Sequence, residues 1–207
     1  MKIKICGLSR DQDIDYVNEA RPDYCGFVFA ASKRQVSPAQ AASLKRRLAE
    51  GITAVGVFVN APIGDIVALY RDSVIDIAQL HGDENETYID GLKDASAKSG
   101  KNPIPIIKVI KSDNFSLFTA HSSLLINYYL LDSGSGSGET FDWTTLGSLT
   151  IDKPWFLAGG INLNNIEQAI AVNPFGIDVS SGAETDGIKD RAKILQLVTA
   201  IRKGKMV

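Results

Sequence analysis

Cysteine is scarce in this chain: two residues in 207, Cys6 and Cys25. Two thiols make no disulfide framework, and neither sits in a CxxC motif or a His/Cys cluster, which argues against a stapled scaffold and against a zinc module. No metal site is therefore expected. Histidine is equally rare, with only His81 and His121. Long apolar runs are missing as well; none approaches the ~18 residues a membrane-spanning helix needs. Nor is there an excess of positive charge: 22 Lys and Arg stand against 24 Asp and Glu. The densest basic cluster, Lys45-Arg46-Arg47, falls at the end of a predicted helix, where cations suit the helix dipole. A nucleic-acid partner would require a basic footprint, so none is expected, and no membrane partner either. Met1 to Gly7 lacks the apolar segment of a signal peptide. These absences together predict a reduced, cytoplasmic protein.

What the chain does have is 44% hydrophobic and 22% charged residues, an ordinary globular composition. At this length roughly 70% of the unfolded surface can be buried without staples. The apolar residues alternate between two periods. Strands are predicted at 2–6, 24–29, 53–59, 75–80, 104–110, 127–131, 155–158 and 176–179. Helices are predicted at about 11–20, 38–49, 62–72, 84–98, 113–122, 142–148, 162–172 and 190–203. Ser37 before Pro38 reads as an N-cap with proline at the first helical position. Asn162 could cap the seventh helix, and Gly51 reads as the stop of the second. Repeated β-then-α units demand a parallel sheet with helical crossovers. The expected fold is α/β: a single (β/α)8 TIM barrel over 1–207, with eight parallel strands and short connections. An open doubly wound sheet is the alternative, but no dinucleotide fingerprint is present. The Gly/Ser-rich stretch 134–138 directly follows a strand and reads as an active-site loop.

In such barrels the chemistry lies at the C-terminal ends of the strands. Those ends carry Cys6, Ser32-Lys33-Arg34, Asn60, Gln79 to Gly82, Asp132, Gly159-Gly160 and Asp178 to Gly182. Strand side chains alternate between faces. If Ile3 and Ile5 pack on the helices, Cys6 points into the barrel mouth. Gln79 and His81 share a face, and Cys25 reads as core.

At these residues the chain resembles the phosphoribosylanthranilate isomerases. Lys4-Ile5-Cys6-Gly7 is similar to that family's opening motif. Gly26-Phe27-Val28-Phe29 with Ser32-Lys33-Arg34 resembles its second strand and loop. Gly56 to Asn60, Gln79 to Gly82, Leu131-Asp132 with Phe141-Asp142-Trp143, Leu157 to Ile161 and Asp178 to Glu184 follow in order. Each motif alone is weak; the ordered set is specific. Two departures stand out: Lys33 replaces the family's usual proline, and Gly134 to Gly138 replaces its Gly-Gly-Thr-Gly loop.

The resemblance implies an enzyme of tryptophan biosynthesis that carries out an Amadori rearrangement without metal or cofactor. It implies Cys6 as general base and Asp132 as general acid, with a small phosphorylated substrate as partner and a monomeric state. A thiol base must be activated by nearby positive charge. An acid must hold its proton near neutral pH, which partial burial at a strand end favours. Arg34 is matched to the substrate carboxylate through a charge-assisted bond, against the plain reading of a solvated loop charge. Gly159, Gly160, Ser181 and Gly182 lie where barrels bind phosphate through backbone N–H groups, or are merely tight turns. Asp178 contacts ribose hydroxyls or holds a loop. His81 lines the pocket or is a satisfied structural histidine. Gln79 is a rim hydrogen-bonder or fills an interior layer. The rival aminoimidazole ribonucleotide isomerase of histidine synthesis carries aspartate where Cys6 stands and is a duplicated half-barrel, and no repeat is evident here. A synthase of indole-glycerol-phosphate type would want a strand-end lysine, and Lys108 is too interior. A non-catalytic phosphate-binding barrel need not keep both Cys6 and Asp132.

Overall fold

A computed structural model describes residues 1–111, 125–132, 143 and 151–204. Eight parallel strands close into a barrel in chain order. They are β1 (Lys2–Cys6), β2 (Tyr24–Val28), β3 (Thr53–Phe58), β4 (Ile77–Leu80), β5 (Ile106–Lys111), β6 (Tyr128–Asp132), β7 (Trp155–Ala158) and β8 (Gly176–Val179). β1 closes the ring against β8, with Ile3 opposite Ile177 and Lys4 opposite Asp178. The described helices are α1 (Asp11–Ala20), α2 (Pro38–Arg47), α3 (Ile63–Arg71), α4 (Glu86–Lys98), α5 (Ile166–Ala171) and α6 (Arg191–Lys203). The chain is thus the expected α/β barrel. Among the described residues no helix is long and apolar enough to cross a membrane. The helix expected at 113–122, the loop at 134–138 and, apart from Trp143, the helix expected at 142–148 lie outside the described residues.

Local chemistry sets the helix starts. Ser37 accepts the N–H of Gln40 at 3.1 Å, with Pro38 at the first helical position, so the second helix begins where expected. Asn85 caps α4 through the N–H of Tyr88 at 3.0 Å, and Asp190 caps α6 through that of Lys193 at 3.1 Å. Two expectations need correction. α2 stops at Arg47, so Gly51 is not its terminator; at φ +86° it turns the chain into β3 instead. Asn162 does not cap a helix, because α5 begins only after Asn165. The Asn162 side chain accepts the N–H of Asn164 at 2.9 Å, a local turn that competes with helix formation.

Alternation along the strands divides two cores. Ile3, Ile5, Cys25, Phe27, Ala54, Ala78 and Leu80 face outward and pack with helix residues such as Ile14, Leu44 and Ile194. Val55, Ile77, Ile107, Val109, Leu130 and Phe156 form the separate inner core. Its N-terminal end is filled by aromatics: the Phe156 ring lies 5.4 Å from Tyr24, 5.8 Å from Tyr128 and 5.4 Å from Phe175. Gly176 is part of that fit, since a Cβ there would fall 2.6 Å from Phe156 Cε1.

Candidate active site

The opposite end of the barrel opens into a cleft of about 820 Å³. It is lined by Cys6, Arg34, Gln79, His81, Asp132, Gly159, Gly160, Asp178, Ser181 and Gly182. The strand ends and the loops that follow them therefore bring together every residue given a catalytic, substrate or phosphate role from the sequence, while Lys33 and Asn60 lie outside the cleft wall.

Cys6 ends β1 with its side chain inward, as parity requires. Its register partner on β2 is Gly26. A Cβ at Gly26 would lie 2.6 Å from the Cys6 sulfur, so the missing side chain is the space the thiol occupies. Burial pushes the Cys6 thiol above its ordinary range, while the Lys4 ammonium, which also hydrogen-bonds it, and that of Lys189 pull it back. Cys25, on the outer face, is pushed to about 12, first of all by burial.

Lys4 is a site residue that the strand-end rule does not single out. It stands two residues before Cys6, on the same face of β1, and is fully buried. Its Nζ lies 3.1 Å from both carboxylate oxygens of Asp178. Burial works against the ammonium, but Asp178 and the Cys6 thiolate outweigh it and hold its pKa above the usual lysine range. A charged residue sharing a face with the proposed base is the signal that could have found it. Asp178 consequently serves a structural partner while still lining the cleft.

Across the mouth, Asp132 ends β6 and faces His81, whose Nε2 is 3.5 Å from Asp132 Oδ2. That is close for electrostatics and long for a tight hydrogen bond. Gln79 is almost fully buried, and among the described residues its Oε1 has no hydrogen-bond partner. It is a cleft-wall acceptor, which favours the rim reading over simple layer filling. Lys108 is interior, as expected, with its Nζ held by Glu84 at 2.9 Å and by the Gly82 carbonyl at 2.7 Å.

Arg34 is not a solvated loop charge. Its Nε and Nη2 donate to the two oxygens of Glu184 at 2.6 and 2.7 Å. Glu184 also accepts from Lys189 Nζ at 2.5 Å. Both belong to a hairpin absent from the sequence reading, β9 (Glu184–Thr185) paired with β10 (Ile188–Lys189). Its turn, Asp186-Gly187, holds φ of +52° and +77°, as a two-residue type I′ turn requires. Burial would raise the Glu184 carboxyl, but the bonds from Arg34 and Lys189 hold it below the usual range.

The two glycine loops meet beside the cleft. Gly159 and Gly160 adopt φ of +100° and +63°. Gly182 lies in a 3-10 turn, Ser181–Ala183, where a Cβ would fall 1.9 Å from the Ile161 carbonyl oxygen. Glycine at 182 thus serves the contact between the loops after β7 and β8.

Residues 3–200 match the sequence model of the family described as N-(5'-phosphoribosyl)anthranilate (PRA) isomerase. A relative of that name from Endomicrobium trichonymphae is 43% identical over 204 residues, spanning 97% of this chain and 98% of the relative. The solved phosphoribosyl anthranilate isomerase of Thermotoga maritima superposes with a TM-score of 0.84 at 30% identity, over 98% of this chain and 99% of that one. A phosphoribosyl anthranilate isomerase in complex with reduced 1-(o-carboxyphenylamino)-1-deoxyribulose 5-phosphate superposes with a TM-score of 0.79 at 29% identity, over 98% and 99% of the two chains. The chain belongs to the N-(5'-phosphoribosyl)anthranilate isomerase family.

Proposed function

We propose that this isomerase converts N-(5'-phosphoribosyl)anthranilate into 1-(2-carboxyphenylamino)-1-deoxyribulose 5-phosphate in tryptophan biosynthesis, with Cys6 as base and Asp132 as acid. The observation that carries the reading is convergence. A thiol with a buried ammonium beside it, a strand-end carboxyl, an oriented guanidinium and two glycine loops all open into one cleft. The relative that holds a reduced phosphorylated ligand supports a ligand of this chemistry.

In this reading Asp132 gives a proton to the ribose ring oxygen, and the C1'–O bond breaks. The substrate nitrogen takes up the positive charge as an iminium, which acidifies the proton on C2'. The Cys6 thiolate removes that proton, and the resulting enolamine tautomerises to the ketone. Positioned acid–base groups of this kind contribute about 10²- to 10⁴-fold each. Gly159, Gly160, Ser181 and Gly182 would take the phosphate through backbone N–H groups, and Arg34 the anthranilate carboxylate. Gln79 Oε1 and Asp178 are acceptors suited to substrate hydroxyls. All these residues come from one chain, so a monomer suffices. A thiolate base also fits a reducing cytoplasm.

The test is a coupled assay. Substrate is generated from anthranilate and phosphoribosyl pyrophosphate by the transferase, and EDTA is added once that metal-dependent step is complete. Loss of substrate fluorescence should then depend on this protein and proceed at an undiminished rate. A folded sample with no loss above background overturns the reading and favours a binding barrel or another ribonucleotide substrate. In the same assay Arg34→Ala should raise KM by roughly 10- to 100-fold, the range of a charged hydrogen bond, with a smaller effect on kcat. An unchanged KM removes Arg34 from substrate binding.

A further inference from the structure

Arg34 comes from an exposed loop, yet its side chain is fixed at two points by groups remote in sequence. Its stem crosses Gly7, the residue after Cys6: a Cβ on Gly7 would fall 2.4 Å from Arg34 Cδ. Its far end meets Glu184 fork to fork. A guanidinium has two usable edges, and a carboxylate fits either one bidentately. Glu184 occupies the Nε/Nη2 edge. Among the described residues Nη1 makes no hydrogen bond, and Arg34 lines the cleft.

Glu184 is itself held in place. Lys189, its register partner across the hairpin, donates to it and also to the Ser180 carbonyl at 3.0 Å. The Glu184 carbonyl takes a further bond from Lys193 at 2.6 Å. The anion sits between two cations, Lys189 buried and Arg34 partly exposed to the cleft. The hairpin is thus a rigid mount whose one charged product is a correctly placed carboxylate under Arg34.

We propose that Glu184 is the positioning residue for carboxylate recognition: by holding the Nε/Nη2 edge of Arg34 it presents the remaining edge to the aromatic carboxylate of the ligand. This rests on the reading of Arg34 as the carboxylate contact. Without the mount, a long side chain on a loop must be ordered anew at each binding event, which costs affinity and not chemistry. The opposite role, Glu184 as an internal rival that the ligand must displace, predicts tighter binding when its charge is removed.

The experiment compares wild type, Glu184→Gln and Arg34→Ala for two competitive ligands: the reduced product analogue and the same compound lacking the ring carboxyl. Glu184→Gln should weaken the carboxylated ligand by roughly tenfold, leave the decarboxylated one unchanged, and keep kcat within about threefold. Glu184→Asp, which keeps the charge but shortens the reach, should show the same split in weaker form and covers the case of a Gln variant that does not fold. Tighter binding of the carboxylated ligand, equal weakening of both ligands, or no change in either overturns the proposal. Arg34→Ala tests the underlying reading separately. If it fails to distinguish the two ligands, Arg34 is not the carboxylate contact and the proposal falls with it. If Arg34→Ala distinguishes them while Glu184→Gln does not, the contact stands and only the mount is wrong.

Discussion

Cys6→Ser and Asp132→Asn should each lower kcat by at least about 10²-fold while ligand binding survives. Serine fits the hollow left by Gly26, so the change tests chemistry and not packing. A hydroxyl at the same place is far less acidic than the thiol, whose ionisation burial opposes and the ammoniums of Lys4 and Lys189 favour. The amide introduced by Asp132→Asn keeps the shape of the carboxyl and its approach to His81 but has no acidic proton to give to a ring oxygen. Steady-state kinetics give the loss, and calorimetric titration with the reduced product analogue shows that the cleft still binds. Near-normal turnover in either variant would remove that residue from the proposed pair.

Lys4→Met should strike activity and stability together. The variant leaves Asp178 buried opposite a methyl group, and breaking a buried pair by removing one partner costs about 3–5 kcal/mol. It also removes the ammonium that draws the Cys6 thiol down. The active form of the base is the thiolate, so the limb of kcat/KM that rises with pH should move to higher pH, with roughly tenfold less activity at neutral pH for each unit of displacement. The pair lifts Lys4 above its ordinary range. The Lys4 contribution is therefore present below the ordinary lysine pKa and is lost as pH climbs through the folded value, while burial also raises Asp178, whose protonation in acid breaks the pair from the other side. Alkylation of Cys6 by iodoacetamide against pH reads the thiolate directly, because Cys25 is fully buried and ionises only near about 12. The double variant Lys4→Met/Asp178→Asn should recover stability and, because the Asp178 carboxylate itself raises the Cys6 thiol, return part of the displaced pH limb. An unshifted limb in Lys4→Met would leave Lys4 as a structural residue only.

The barrel is legible in the sequence because its grammar is local. Period-2 strands and period-3.6 helices can be read within a window of a dozen residues, and the rim follows from the rule that strand ends carry the chemistry. Parity places Cys6 correctly, and the same rule applied two residues earlier puts Lys4 inside. A lone interior lysine makes no sense until its partner is known, and Asp178 is 174 residues away in the chain. Arg34 and Glu184 are separated by 150 residues, so the sequence offers no sign that one carboxylate already holds the guanidinium. The hollow at Gly26 depends on strand register, which no single strand reveals. The hairpin is different: Asp186-Gly187 is a strong short-range turn signal. It escapes a reading by periodicity because its arms are two residues each and the following helix begins almost at once. At 162–172 the error runs the other way. Asparagines that could cap a helix satisfy one another in a turn, and only Ile166–Ala171 remains helical.

The aromatic packing beneath the inner core has a kinetic consequence. With Tyr24, Tyr128, Phe156 and Phe175 filling the far end, the barrel formed by the described residues is a vessel with one door. Substrate, product and water share a single route, so nothing can arrive until its predecessor has left. Traffic through that door is governed at the rim, by the same loops proposed to take the phosphate. The tighter their grip on the product, the longer the queue, and a faster chemical step would go unnoticed in turnover once departure sets the pace.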